Sequence, residues 1–388
     1  MRQRWLSFLL VWSSFYEQLA WTPVLVLIAA GLGDPAITAL AASAYSLANL
    51  VGNLVFGSLA DRVARHRVAG AGLVGMAGTA MLHLFASSPM QLVGVRFLHG
   101  LAAAAVAPAA LAGVTDGAPG HKRGEVMARV GLVIAFASMM APPVTGRMAR
   151  GWGVAPAVML LGVCLAVVGV VALAFGGQRV AGAAHRLAAV GAVGDARLNP
   201  ALALVGSAVA FAIMFGQNVL FYAMPLRGNA LGMSSAQVGG LLSTFAVGAL
   251  VAFVPPLGRS ADRWGRIPPL LAGMGLTSLG LFWLSAAAGA PQIGGALAIY
   301  GLGFGLAFPA VTALSGDAAG QGRRGLAFGL LTAAFSAGAI VGPLVTRGLD
   351  GMVSPFVVAG LVAMAGGGVG LGALRQPRAA APPIGPGA

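Results

Sequence analysis

The feature that most limits this chain is a succession of continuous apolar runs, each roughly 20 residues long, about what a helix needs to cross a ~30 Å hydrocarbon core. Inside a bilayer every backbone N–H and C=O has to be satisfied by the chain itself, which leaves helices or a closed barrel. The runs lack the alternation of a transmembrane strand, so they read as helices. With 8% charged residues among 388, sixty glycines and a mean hydropathy of +0.89, a soluble globular domain is excluded.

Twelve spans are expected, approximately at 5–30, 37–59, 68–86, 91–113, 126–148, 154–176, 200–223, 237–257, 269–288, 292–314, 326–348 and 352–374. The opening "MRQRW" is followed by a run that is too long for a signal peptide, carries Glu17 and closes on no A-x-A-like site, so it reads as the first span. Lys and Arg near span ends are retained on the cytoplasmic side. With the N-terminus inside, eighteen of the 23 basic residues fall inside, Arg147, Arg150, Arg227 and Arg347 fall outside, and Arg96 lies within a span. Both termini are therefore expected in the cytoplasm, in a multi-pass protein of the inner (cytoplasmic) membrane. The net charge of +14 reads as a topology signal and not as a nucleic-acid surface. The single cysteine, Cys164, excludes an internal disulfide and any multi-cysteine metal site.

The chain repeats itself. "GSLADRVAR" at 57–65 matches "GRSADRWGR" at 258–266, an offset of 258 − 57 = 201 residues. The same offset pairs Pro108, Ala109 and Asp116 with Pro309, Ala310 and Asp317, and Arg123-Gly124 with Arg324-Gly325. It also pairs Pro142 and Thr145 with Pro343 and Thr346. One register held over so long a stretch marks an internal repeat. The expected organisation is a six-helix bundle at 1–176, a cytoplasmic linker at 177–199, a second six-helix bundle at 200–374 and a cytoplasmic tail at 375–388.

With these residues in place, the chain resembles the major facilitator superfamily over essentially its whole length. The loop after the second span is similar to that family's most specific signature: Gly57, Leu59, Ala60, Asp61, Arg62 and Arg65 match it, while Ala64 stands for a glycine and His66 for a basic residue. The resemblance implies an all-α membrane protein of twelve transmembrane helices in two pseudo-symmetric six-helix bundles, with the substrate site between them near the midplane. It also implies a cytoplasmic gate built from Gly57, Asp61, Arg62, Arg65 and Asp116 and their repeat mates Gly258, Asp262, Arg263, Arg266 and Asp317. A glycine there lets another helix approach, and an aspartate can join an ion network or meet the positive N-terminus of a neighbouring helix.

Span four carries Arg96, His99 and Gly100 in an arrangement that resembles the family's R-x-x-q-G motif, with His99 in place of glutamine. An arginine inside a span is a functional hypothesis by default, although one near the boundary can snorkel. Span five resembles the antiporter motif in reduced form, as Ala128, Ala137, Ala141, Pro142, Thr145 and Gly146; span eleven keeps it better, as Gly329, Gly338, Gly342 and Pro343. Pro142, Gly146, Gly338, Gly342 and Pro343 are expected to serve helix packing, and span eleven looks like that of twelve-span drug exporters.

No phosphate cradle is available, since the lone lysine, Lys122, sits in "GHKRG", and no H-E-x-x-H or G-x-S-x-G occurs. An enzyme is not expected, nor a cofactor or metal, and an ion gradient remains as the power source. Eight of the nine acidic residues fall in loops or at span ends, leaving Glu17 at mid-membrane, ~18 Å deep. Arg96 lies ~25 Å from the inner end of its span, within side-chain reach of that level. Three readings of Glu17 stand open: proton coupling with Arg96, recognition of a cationic substrate, or a structural ion pair with Arg96.

The repeat mate of Glu17 is Asn218, beside Gln217 and near Tyr222, so span seven has an uncharged polar midpoint. Tyr45, Asn49 and Asn53 form a stripe on span two that either edges the cavity or makes helix–helix hydrogen bonds. The expected substrate cavity comprises Tyr45, Asn49, His99, Gln217, Asn218 and Tyr222, with Trp21 and Phe211 adding an aromatic wall. The expected function is proton-coupled export of small hydrophobic or cationic molecules by alternating access, in a monomer whose partners are its substrate, protons and the lipid bilayer. Uptake of a small metabolite by symport or uniport is the alternative, and a non-transporting membrane sensor is the rival from another class.

Overall fold

The computed structural model describes residues 2–34, 37–116, 118–175, 198–319, 323–348 and 352–374. The tail at 375–388 and nearly all of the linker at 177–199 lie outside these. The described chain is built of helices, which we number α1 (Arg2–Gly31), α2 (Ile37–Arg62), α3 (Arg65–Leu82), α4 (Pro89–Ala103), α5 (Ala107–Asp116), α6 (Arg123–Gly151) and α7 (Val154–Phe175). There follow α8 (Pro200–Ala230), α9 (Ser235–Phe253), α10 (Ile267–Ala286), α11 (Ala290–Ala318), α12 (Arg324–Gly348) and α13 (Pro355–Leu374).

Among the described residues ten helical stretches are long and apolar enough to cross a membrane, or eleven if α9 and the segment Leu257–Arg263, bent by 59°, form one span. The bend follows from Pro255-Pro256, where no N–H is available to continue the ladder. The 30-residue α1, expected as the first span, is long enough but not among these, its apolar character diluted midway by Ser13, Ser14, Glu17 and Gln18. The fourth span is interrupted between α4 and α5, whereas its repeat mate α11 runs unbroken through Pro309.

The first group packs α1 on α6, α2 on α4 and α3 on α7; the second packs α8 on α12, α9 on α11 and α10 on both α11 and α13. The two groups meet where α2 lies along α12 and where α6 crosses α9 and α11. Met159, Val163, Val167 and Val170 on α7, and Leu361, Met364 and Leu371 on α13, are exposed at helical spacing. Such stripes suit hydrocarbon as solvent. Asn199 caps α8, its side chain accepting from the N–H groups of Ala201 and Leu202, and its own N–H donates to Ala318, tying α8 to the end of α11.

Candidate functional site

Two polar constructions interrupt this apolar framework. The first joins the two halves at the end of the molecule that carries the repeated aspartates. The first turn of a helix leaves N–H groups without intrahelical partners, and a carboxylate placed there meets both hydrogen bonds and the positive end of the dipole. Asp61, at the end of α2, accepts from the N–H of Gly325 at 2.6 Å and of Leu326 at 2.8 Å, in the first turn of α12. Its repeat mate Asp262 accepts from Gly124 at 2.8 Å and Glu125 at 2.7 Å, in the first turn of α6. Each half thus caps a helix of the other.

The arginines follow the same symmetry. Asp116 is held by Arg65 at 2.8 Å and by Arg324 at 2.9 Å, the latter from the opposite half. Asp317 is held by Arg266 at 2.8 Å and by Arg123 from the opposite half. Arg266 also reaches Asp262 at 2.5 Å and the carbonyl of Gly120 at 2.7 Å. Burial alone would pull the Arg266 guanidinium down, but Asp317 and Asp262 hold it above its ordinary value. Arg62 and Arg263, expected in this network from their place in the motif, are exposed and stand outside it. Arg123 and Arg324 take the cross-half roles instead.

Gly57 permits the approach: a Cβ there would stand 2.6 Å from the carbonyl oxygen of Gly325 and 2.8 Å from the Cα of Gly329. At the mirror position, a Cβ on Gly258 would clash within its own segment, at 2.3 Å from the Phe253 oxygen, and would meet Ala128 at 3.2 Å. Two added ion pairs lack repeat mates: Glu125 binds Arg259 at 3.2 Å and Arg129 at 2.5 Å.

The second construction lies inside the first group of helices. Glu17 on α1 and His99 on α4 are both fully buried, with Glu17 Oε1 2.5 Å from His99 Nε2. His99 Nδ1 lies 2.8 Å from the hydroxyl of Thr79 on α3, which also lies 2.9 Å from the carbonyl of Gly75. Thr79 has one proton to give. Given to Gly75, it leaves His99 Nδ1 as the donor, and one proton is then shared between Nε2 and Glu17. Given to His99, it leaves Nε2–H donating to an ionised Glu17. The two arrangements differ by one proton and one hydroxyl rotation.

Around this pair stand Trp21, with its ring centre 5.3 Å from His99, and His83, whose ring centre is 4.1 Å from Trp21. Arg96 does not pair with Glu17. Its guanidinium lies over Tyr45 at 4.4 Å and over Trp21 at 5.4 Å. Depth was legible from the sequence, but the direction in which each side chain leaves its helix was not, and three residues along α4 places His99 where Arg96 was expected.

The remaining expected cavity residues separate. Asn49 donates to the Gly100 carbonyl at 3.2 Å and accepts from Ser336 of α12 at 3.0 Å, and Asn53 donates to Asn49 at 2.7 Å. The stripe therefore makes helix–helix bonds at the α2–α12 contact. Tyr45 is buried under Arg96, and His99 is enclosed. On α8, Asn218 donates to the Met214 carbonyl at 2.9 Å and Gln217 is half-buried. Tyr222 is exposed, in a surface crevice with Arg227, Arg347 and Phe356. The packing residues behave as small-residue contacts: Gly338 and Gly342 face the α8 backbone at Phe211 and Phe215, and Gly146 faces Pro23 of α1. Pro142 and Pro343 lie inside α6 and α12.

Sequence reading missed Thr79, His83 and Ser336. A histidine four residues after a threonine in an apolar run was the available signal for the first two; Ser336 had none.

The family model described as Major Facilitator Superfamily matches residues 6–229 and 206–387. No curated protein sequence matches the chain. Its fold is similar to that of the human organic anion transporter MFSD10 (TETRAN), at 16% identity and a TM-score of 0.73, over 95% of this chain and 98% of that one. It is also similar to the proton:xylose symporter XylE bound to 6-bromo-6-deoxy-D-glucose, at 14% identity and a TM-score of 0.73, over 94% of each chain.

Proposed function

The chain belongs to the Major Facilitator Superfamily, whose members are membrane transporters, and from that premise we propose that it is a secondary active transporter coupled to protons through Glu17 and His99. The observation that carries this reading is the burial of that pair: a carboxylate and an imidazole enclosed together in a span, joined by a bond whose two forms differ by one proton. A group of this kind inside a membrane is a proton relay before it is anything else. Recognition of a cation by Glu17 is disfavoured, because its Oε1 is already engaged by His99.

Alternating access needs a seam that closes and opens. The Asp61 and Asp262 caps with their arginine clamps supply one, and with both termini in the cytoplasm of an inner-membrane protein it is the cytoplasmic gate in its closed form. Two domains, 1–176 and 200–374, would then rock about the α2–α12 and α6–α11 contacts in a working monomer.

Export of small hydrophobic or cationic molecules requires the substrate to displace the proton. The sequence support for it, Gly338, Gly342 and Pro343, serves the packing of α12 on α8 and is neutral to direction. Uptake with a proton requires substrate and proton to bind together, and the unpaired guanidinium of Arg96 favours it. The organic anion transporter and the proton:xylose symporter lend the fold alone at these identities.

Proteoliposomes with an imposed pH gradient test the proposal. Glu17→Gln is expected to abolish gradient-driven flux while leaving the protein folded; coupled flux at the normal rate in that variant rejects Glu17 as the coupling group. The polarity of the gradient that drives accumulation decides between export and uptake.

A further inference from the structure

Arg96 is 4% exposed, and neither its Nε nor its Nη1 has a hydrogen-bond partner among the described residues. Arg65, Arg123, Arg227 and Arg324 also carry an unpartnered nitrogen, yet each holds a carboxylate or a carbonyl through another one. Arg96 donates to no described residue at all. Glu17, whose charge it feels, is joined to His99 and stands beyond ion-pair reach. The guanidinium carbon lies over the Tyr45 and Trp21 rings, a cation–π contact that takes up none of its N–H donors, and Nε and Nη1 find no acceptor among the described residues. A buried cation with free donors in a membrane protein calls for an anion.

We propose that Arg96 docks an anionic group of the transported molecule, a carboxylate by preference, and that this anion binds together with the coupling proton. The inference rests on the transport reading and deepens it by naming the substrate class. A carboxylate matches the planar fork of a guanidinium with two parallel hydrogen bonds.

The coupling follows from counting charge. Facing Arg96 are Glu17 and Trp21 from α1, Tyr45 from α2 and His83, and behind Glu17 stands His99, backed by Thr79 of α3. With Glu17 ionised and both histidines neutral, Glu17 balances Arg96 and the site is neutral. One proton added to the Glu17–His99 pair leaves a net positive site, whichever partner holds it. An anion on Arg96 restores neutrality, so in a low-dielectric interior proton and anion strengthen each other's binding, and by linkage the effect is mutual. A cationic substrate would reverse the sign. Proton and anion that bind together travel together, which is symport.

The test is equilibrium binding to the purified full-length protein, read as thermal stabilisation. The probes are acetate, benzoate and inorganic phosphate, with benzamide and benzylammonium as neutral and cationic controls. The carboxylates are expected to stabilise the protein and the controls not to. The apparent affinity for benzoate should tighten as the pH falls, by up to about tenfold per pH unit, with uptake of about one proton per benzoate bound. Arg96→Gln should weaken benzoate by about a hundredfold, and Arg96→Lys, which keeps the charge without the fork, by less.

Stabilisation by benzylammonium, none by any carboxylate, equal stabilisation of Arg96→Gln, or an affinity that does not change with pH would each overturn the inference. Should Arg96→Gln fail to fold, the pH dependence of the unaltered protein and the Arg96→Lys comparison still decide. Benzoate binding that depends on Arg96 without any gradient-driven flux would instead reject the transport reading and leave the anion site standing.

Discussion

Asp61 lies across the seam from Gly325, its Oδ1 accepting the Gly325 N–H at 2.6 Å while its Oδ2 accepts that of Leu326. One carboxylate of the first repeat thereby closes the open end of a helix in the second. Asp61→Asn keeps one acceptor and loses the charge at the dipole, a change of about 2 kcal/mol by the usual worth of a charged hydrogen bond. The expected result is a gate biased open and turnover lowered by about tenfold at normal protein levels. Transport in proteoliposomes, with cysteine-labelling access at the gate, checks it, and unchanged turnover would remove Asp61 from the gate.

Gly57 is expected to tolerate no side chain. Its missing Cβ would press on Gly325 and Gly329 backbone, which cannot step aside as a flexible side chain can. Gly57→Ala should hold the seam apart and lower transport severely, whereas Gly78→Ala, with nothing within 4 Å, should transport normally. Equal behaviour of the two variants would show that the closed seam is not part of the cycle.

The arginines of the two motifs should separate into two classes. Arg324→Gln strips Asp116 of its cross-half partner and is expected to impair transport, as is Arg123→Gln at Asp317. Arg62→Gln and Arg263→Gln act on exposed side chains outside the network, and stability should change by less than about 0.5 kcal/mol with transport intact. Matched flux assays on the four variants give the answer.

His99→Gln can still bond to Glu17 and Thr79 but cannot bind a proton. It should lose uphill, gradient-driven accumulation while keeping downhill exchange. Thr79→Val removes the partner of His99 Nδ1 and should shift the pH profile of transport without abolishing it. A His99→Gln protein that accumulates substrate as before would place the proton on Glu17 alone.

Much of this was legible in the sequence, for identifiable reasons. The spans and the 201-residue repeat are one-dimensional patterns, and Asp61, Asp262, Asp116 and Asp317 inherit their places from them. The partners of Glu17 were not legible, because rise per residue gives depth but not azimuth. Depth alone allowed Arg96; the turn of α4 selects His99 and lays Arg96 on Tyr45. Thr79 and Ser336 come from other helices, and only packing brings them in. Asn49 and Asn53 were read as either cavity edge or helix contact, a choice that depends on whether α12 lies against α2. Arg123 and Arg324 were visible as repeat mates, and their cross-half roles follow only once the two halves are docked.

The ion pair of Glu125 with Arg259 has no counterpart in the other repeat, and the tight backbone approach of Gly57 to Gly325 and Gly329 has none on the Glu125 side. The two edges of the seam therefore answer to different surroundings. Salt reaches the exposed guanidinium groups of Arg259 and Arg129 and weakens that edge. The Gly57 edge also carries the exposed Asp116 with its two arginines, but its backbone contact and the sheltered Asp61 cap leave it less dependent on salt and more sensitive to anything that spreads the helices. A change in the salt that bathes the seam, or a membrane that changes its lateral pressure, would each loosen this transporter from a different side.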